Sequence, residues 1–298
     1  MKKLLKACLA LAMAASLVAC GGEKATKFAK VGLGTVSSQK EDGQVNTTIA
    51  VVGLDADGKI QYLDLDVAQS NPLNAEPKTQ TKKELQDAYG MKVASPIQKE
   101  WFEQAKFLED FCLGKTAGEV AAIETKVKDD HHQNVPAGAD LSAGCTMDIG
   151  DFKAAIAKAC ANAVDAKAEK IGVGEVMSAS AAKTQLNTTI AVVATDAAGK
   201  VVKALLDVAQ IYPGVTSTKA ELKDDYGMKK VSPIQKEWFE QAAALETYLE
   251  GKTASEIAAI ETKVKDDNHQ NVPAGADLSA VCSMDIGAFK EAVAEALK

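Results

Sequence analysis

Leu63, Leu65 and Val67 alternate with Asp64 and Asp66, the period-two rhythm of a strand with one buried and one wet face. The segments 46–52 and 60–67 are rich in Val, Ile, Thr and Leu and flank DADGK at 55–59. Two such runs around a short glycine-bearing turn predict a β-hairpin. An apolar stretch with a GxG step, KVGLGTV at 30–36, precedes it. The rhythm then becomes helical. Thr81 and Glu84 form a TxxE capping box, and Gly90 ends that helix. Ser95-Pro96 predicts an N-cap followed by proline at the first helical position. Ile97, Trp101, Ala105, Leu108 and Cys112 mark the buried face of a helix running to about Cys112. Thr116 and Glu119 cap a further short helix, and residues 152–161 predict a last one. Hairpins followed by helices give an α+β fold.

The whole pattern then recurs. SPIQKEWFEQ occupies 95–104 and again 232–241, and NVPAGADLSA at 134–143 returns at 271–280. The offset is 137 residues from Tyr89 onward and 141 upstream, where VNTTIAVV (45–52) matches LNTTIAVV (186–193). A period of this length is the size of a globular domain. The chain therefore divides into tandem homologous domains at 30–163 and 170–298, with 164–169 as a linker. The second copy repeats the GxG step as KIGVGEV (170–176) and closes on a helix at 289–297. Lacking a third glycine and a following helix, the GxG is not a dinucleotide fingerprint.

The N-terminus has its own signature. Met1–Lys6 is basic, Ala7–Leu17 is apolar, and LVAC (17–20) is followed by Gly21 and Gly22. So short an apolar run is a signal segment and not a membrane span. Small residues before Cys20 resemble the bacterial lipobox, which implies a signal peptide at 1–19, a lipidated Cys20 on the outer face of the cytoplasmic membrane, and a tether at 20–29. Acyl chains on Cys20 would supply the multiple anchors that stable attachment needs. Net charge is −7, and −10 without Lys2, Lys3 and Lys6, which argues against nucleic acid. Of the remaining cysteines, Cys112, Cys145, Cys160 and Cys282, only Cys145 and Cys282 correspond between copies. No CxxC or Cys/His spacing suggests a metal, and buried thiols are the expectation.

Hydrolytic chemistry is not indicated. His132 and its counterpart His269 lie in polar loops and read as solvated side chains, while Trp101 and Trp238 read as core. DLSAGCT (140–146) and DLSAVCS (277–283) are the exception. By pattern alone each is a turn leading into a strand. Each also resembles the flavinylation motif of FMN-binding domains, roughly Asp-x-x-Ser/Thr-Gly-Ala-Thr, in which a flavin transferase joins the FMN phosphate to the last hydroxyl. Thr146 matches the acceptor, Gly144 the glycine, Cys145 the alanine and Asp140 the leading acid, while Ala143 departs from the usual hydroxyl residue. In the second copy Ser283 matches the acceptor, Asp277 the acid and Cys282 the alanine, but Val281 replaces glycine. A β-branched residue resists positive φ, so a turn that required it would impair the second site.

Together the lipobox, paired domains, KxELxDxYGM, SPIQKEWFEQ and the MDIGDF ending resemble the FMN-binding, pheromone-type lipoproteins of Gram-positive bacteria. That resemblance covers nearly all of the mature chain. It implies two FMN-binding domains carrying covalent FMN on Thr146 and Ser283. Met91 and Met228, in identical Tyr-Gly-Met turns, are candidate flavin neighbours. It also implies an extracytoplasmic electron carrier, serviced by a flavin transferase, that takes electrons from a membrane quinone pathway and passes them to extracellular acceptors such as ferric iron. Two readings compete: a solute-binding lipoprotein that delivers a ligand to a transporter, and a repeat surface protein acting as spacer.

Overall fold

The computed structural model describes residues 26–298. The signal segment and Cys20 lie outside the described residues. The first copy opens with β1 (Phe28–Gln39), β2 (Val45–Leu54) and β3 (Ile60–Ser70), an antiparallel meander. Asp55 shapes the β2–β3 turn by accepting hydrogen bonds from the backbone N–H groups of Asp57 and Lys59, both at 2.9 Å, an arrangement in which an Asp side chain mimics a backbone turn. Helices α1 (Lys82–Leu85), α2 (Trp101–Cys112) and α3 (Ala117–Ala121) follow, then the two-residue strands β4 (Thr125–Lys126) and β5 (Val135–Pro136), α4 (Ala139–Ser142) and α5 (Gly150–Ala161). The expected capping boxes at Thr81/Glu84 and Thr116/Glu119 are both formed. The mixture of helices and antiparallel sheets is the α+β class expected.

Residues 164–169, expected as a linker, contain β6 (Val164–Ala168), which pairs with β1 and extends the first sheet to the order β3-β2-β1-β6. Phe28 and Ala29, expected in the tether at 20–29, likewise belong to β1. Both ends pair because Phe28, Ala166 and Ala168 are buried in one apolar cluster with residues of the second copy.

The element order then repeats as β7 (Lys170–Ser180), β8 (Gln185–Thr195), β9 (Val201–Ile211), α6 (Lys219–Leu222), α7 (Trp238–Leu249), α8 (Ala254–Ala258), β10 (Thr262–Lys263), β11 (Val272–Pro273), α9 (Ala276–Ser279) and α10 (Gly287–Ala296). The two main sheets lie face to face, β1 against β9, β2 against β8 and β3 against β7, with α2 and α5 outside one sheet and α7 and α10 outside the other. Each sheet is thus covered on both faces. That explains why IAVV is an unbroken apolar run in both copies: Ile49 and Val51 face the opposing sheet, Ala50 and Val52 the helices. Lys158 of α5 and Glu221 of α6 form an ion pair across the join, and Gln39 donates from Nε2 to the Thr184 carbonyl at 3.1 Å.

The same packing corrects the expected wet face of β3. Asp66 is buried, because the second copy covers the face that alternation assigned to water. Its carboxylate accepts from Thr81 Oγ1 at 2.6 Å and from the backbone N–H groups of Val67 and Lys83 at 2.6 and 3.0 Å. Asp207 repeats these bonds with Thr218, Val208 and Ala220. A buried carboxylate held this way ties the start of the short helix to the sheet.

Candidate functional site

The helix expected to begin at Ser95 begins at Trp101 instead. Residue Gln98 has φ +53°, so the chain loops before the helix starts. Glu100 caps it, and the same carboxylate accepts the Met91 N–H at 2.8 Å. The Tyr-Gly-Met turn is thereby tied to the start of α2. Freed from capping, the Ser95 hydroxyl accepts a hydrogen bond from Gln104 Nε2 at 2.9 Å.

Gln104 is the residue that sequence reasoning missed. It is fully buried, and its Oε1 accepts from both the Thr146 N–H, at 2.8 Å, and the Thr146 hydroxyl, at 3.2 Å. The second copy reproduces the device: Gln241 Oε1 accepts from the Ser283 N–H at 2.8 Å and from its hydroxyl at 3.1 Å. Gln241 Nε2 in turn donates to Ser232 Oγ at 3.1 Å and lies 3.7 Å from Met228 Sδ. Each acceptor hydroxyl is therefore oriented through its proton, leaving oxygen lone pairs free to react. A buried amide is stable there because both its ends are satisfied.

Thr146 lies on the wall of a cavity of about 640 Å³, within the roughly 300–1,000 Å³ of small-molecule sites. Trp101, Tyr89, Phe152, Met91 and Lys82 share that wall. Trp101 and Phe152 are 6.1 Å apart between ring centroids, as are Trp238 and Phe289 in the second copy. Trp101 is both core and cavity lining. His131 and His132 stand at the same cavity, and His132 Nδ1 lies 2.7 Å from Asp129 Oδ1, which holds Asp129 below the usual carboxylate range. His269 and Asp266 repeat this pair at 2.6 Å. Aromatic and thioether walls with a cation and a pre-oriented hydroxyl fit a planar, anionic, covalently attachable group such as FMN.

The rest of the motif does not face the cavity. Asp140 and Asp277 are exposed on α4 and α9. Cys145 and Cys282 are fully buried in the core, where burial pushes each thiol up to about 11. The segment is a short helix and turn that leads on to α5, or to α10, with no strand between.

The glycine of the motif has a different reason from the one expected. Gly144 is not among the positive-φ residues, so Val281 carries no backbone strain at the matching position. What Gly144 avoids is a collision: a Cβ there would run into the Phe107 ring. The second copy has Ala244 in place of Phe107, and Val281 packs against the core beside it. The pairs Gly144/Phe107 and Ala244/Val281 are alternative fillings of one space. Gly144→Val alone should cost about 1–3 kcal/mol by overpacking. Adding Phe107→Ala should recover much of that, a coupling expected between residues in contact. Urea unfolding of the wild type, the two single variants and the double variant reads it directly, and strictly additive losses would refute the exchange.

No helix among the described residues is long and apolar enough to cross a membrane. No family model matches the chain, and no solved structure matches it. It is similar to a chlorophenol reductase of Desulfitobacterium hafniense, 36% identical over a region that spans 28% of this chain and 31% of that protein. The chain thus covers less than a third of the relative's length.

Proposed function

We propose that this chain is a membrane-anchored, extracytoplasmic flavoprotein electron carrier, with FMN joined by phosphodiester to Thr146 and to Ser283. The observation that carries the reading is the placement of Thr146. The one hydroxyl singled out by the motif stands on the wall of the cavity, oriented by a buried glutamine, and Ser283 has the same partner. The relative's name, a reductase, is in keeping with redox work. Gln104 and Gln241 present the acceptor oxygens to a flavin transferase. Trp101, Tyr89, Phe152 and Met91 supply apolar walls that restrict water. Bound FMN would supply the one- and two-electron chemistry, while the protein positions and tunes it. A covalent tether keeps the effective concentration of the flavin high outside the cell at any affinity. Lipidated Cys20 would hold the protein beside a quinone-linked donor, facing extracellular acceptors such as ferric iron.

The test is intact mass of the soluble form beginning after Cys20, co-expressed with an extracellular-type flavin transferase. Two increments of FMN less water are expected, one lost in Thr146→Ala and the other in Ser283→Ala. A colourless protein with no increment would overturn the reading and favour solute binding.

A further inference from the structure

Lys82 and Lys83 are neighbours in α1 with opposite fates. Lys83 is paired, 2.9 Å from Asp64 and 2.8 Å from Glu109. Lys82 makes no ion pair among the described residues. Its Nζ is instead 5.0 Å from the Tyr89 ring centroid and 5.8 Å from that of Trp101, on the wall of the cavity that holds Thr146. The second copy rebuilds the arrangement: Lys219 Nζ is 5.1 Å from Tyr226 and 5.8 Å from Trp238, although the position of Lys83 has become Ala220. Aromatic faces attract a cation but return less than the water it has lost. Burial accordingly pushes both ammonium groups down to about 8. Asp66 acts against this at Lys82, while Lys78 and Lys40 reinforce it; Asp207 acts against it at Lys219. A half-buried cation that makes no ion pair among the described residues and lies on a cavity wall is suited to negative charge arriving in the cavity.

We propose that Lys82 and Lys219 are potential-setting residues, each holding its ammonium where negative charge builds when the bound ring is reduced, and so favouring the reduced form. The inference rests on the flavin reading above. Two electrons taken up with one proton leave one net negative charge on the ring, and the lysine stabilises that charge without itself being consumed. A charge close to the ring is among the protein's levers on a flavin.

The experiment is a reductive titration with dithionite, against redox dyes, of flavinylated protein in a Ser283→Ala background that leaves only the Thr146 site. Lys82→Met should shift the reduced-to-oxidised ratio at fixed potential by about tenfold toward oxidised, or ~30 mV for a two-electron couple. Lys82→Arg should stay near the parent. In the parent, the potential should fall more steeply with pH above about 8, where the oxidised form has lost the lysine proton and reduction takes it back. That steepening should vanish in Lys82→Met. The matching experiment for Lys219 uses Thr146→Ala. An unchanged potential and an unchanged pH profile in Lys82→Met would overturn the inference while the flavin reading stood. If Lys82→Met does not fold, Lys82→Gln takes its place in the same titration, and an unchanged potential there overturns the inference equally. A parent protein that takes up no flavin would instead sink the reading beneath it.

Discussion

Gly34→Ala is expected to destabilise the first copy by about 3 kcal/mol or more, at or beyond the upper end of ordinary overpacking. A single methyl group is normally absorbed by a rotamer change nearby, but here nothing nearby can rotate. A Cβ on Gly34 would penetrate the carbonyl oxygen of Ala155 and the amide nitrogen of Ala159, and one on Gly32 the carbonyl of Ala159. These are backbone atoms of α5, which packs directly on β1. Relief would require lifting the whole helix off the sheet, opening the cluster around Phe152, Ile156 and Ala159. Gly172 and Gly174 meet the backbone of Ala296 and Ala292 in α10 in the same way, so Gly174→Ala should do comparable damage to the second copy. Gly138→Ala is the control, since a Cβ there meets nothing within 4 Å and φ is −69°. Urea unfolding midpoints decide the matter. A Gly34→Ala protein as stable as the Gly138→Ala control would show that helix and sheet are not locked together at this step.

The GxG step illustrates what could and could not be read from the chain. Its apolar setting predicted a strand, and β1 and β7 are strands. The reason for the glycines lay in helices more than a hundred residues downstream, which no local pattern reveals. Asp66 failed the reading for the same kind of reason. Alternation assigns two faces correctly but cannot say that a second sheet will cover the polar one. Capping chemistry is local, so Thr81/Glu84 and Thr116/Glu119 were legible. Ser95-Pro96 mimicked a helix start because the loop after it, with Gln98 at positive φ, is fixed by tertiary bonds to Glu100 and Gln104. At the site, Thr146 was legible from the motif and the cavity around it was not. Gln104 did leave a signal. It sits three residues after Trp101 and beside Ala105, on a stripe that is apolar but for Gln104 and Glu109, and a polar residue on a buried face has to be bonded to something.

Glu246→Gln is expected to stabilise the second copy above pH 7 by about 2 kcal/mol and to change nothing near pH 4. The first copy shows why. There Glu109 accepts the Leu65 N–H at 2.9 Å and is paired with Lys83, which Asp64 also holds. In the second copy Ala220 and Leu205 occupy the places of Lys83 and Asp64. Glu246 keeps the backbone bond, to Leu206 at 2.7 Å, but has lost the direct cation. Burial pushes it up to about 7, with the Leu206 bond and Lys203 opposing and Asp207 and Glu250 adding to the rise. An acid whose folded pKa lies above its unfolded value binds more protons when folded, so its contribution falls as pH climbs from about 4.5 to about 7 and is constant beyond. At about 1.4 kcal/mol per pH unit, charging Glu246 withdraws roughly 3 kcal/mol, of which a partly wetted group would register somewhat less. Glutamine keeps the oxygen that accepts from Leu206 and cannot ionise. The gap between urea unfolding at pH 5 and at pH 8 should therefore narrow in the variant, leaving the slope from Asp207, itself pushed up to about 6 by burial, and from Glu175, which burial holds well above the usual carboxylate range. A variant no more stable than wild type at pH 8 would mean that Glu246 is neutralised by something other than its own proton.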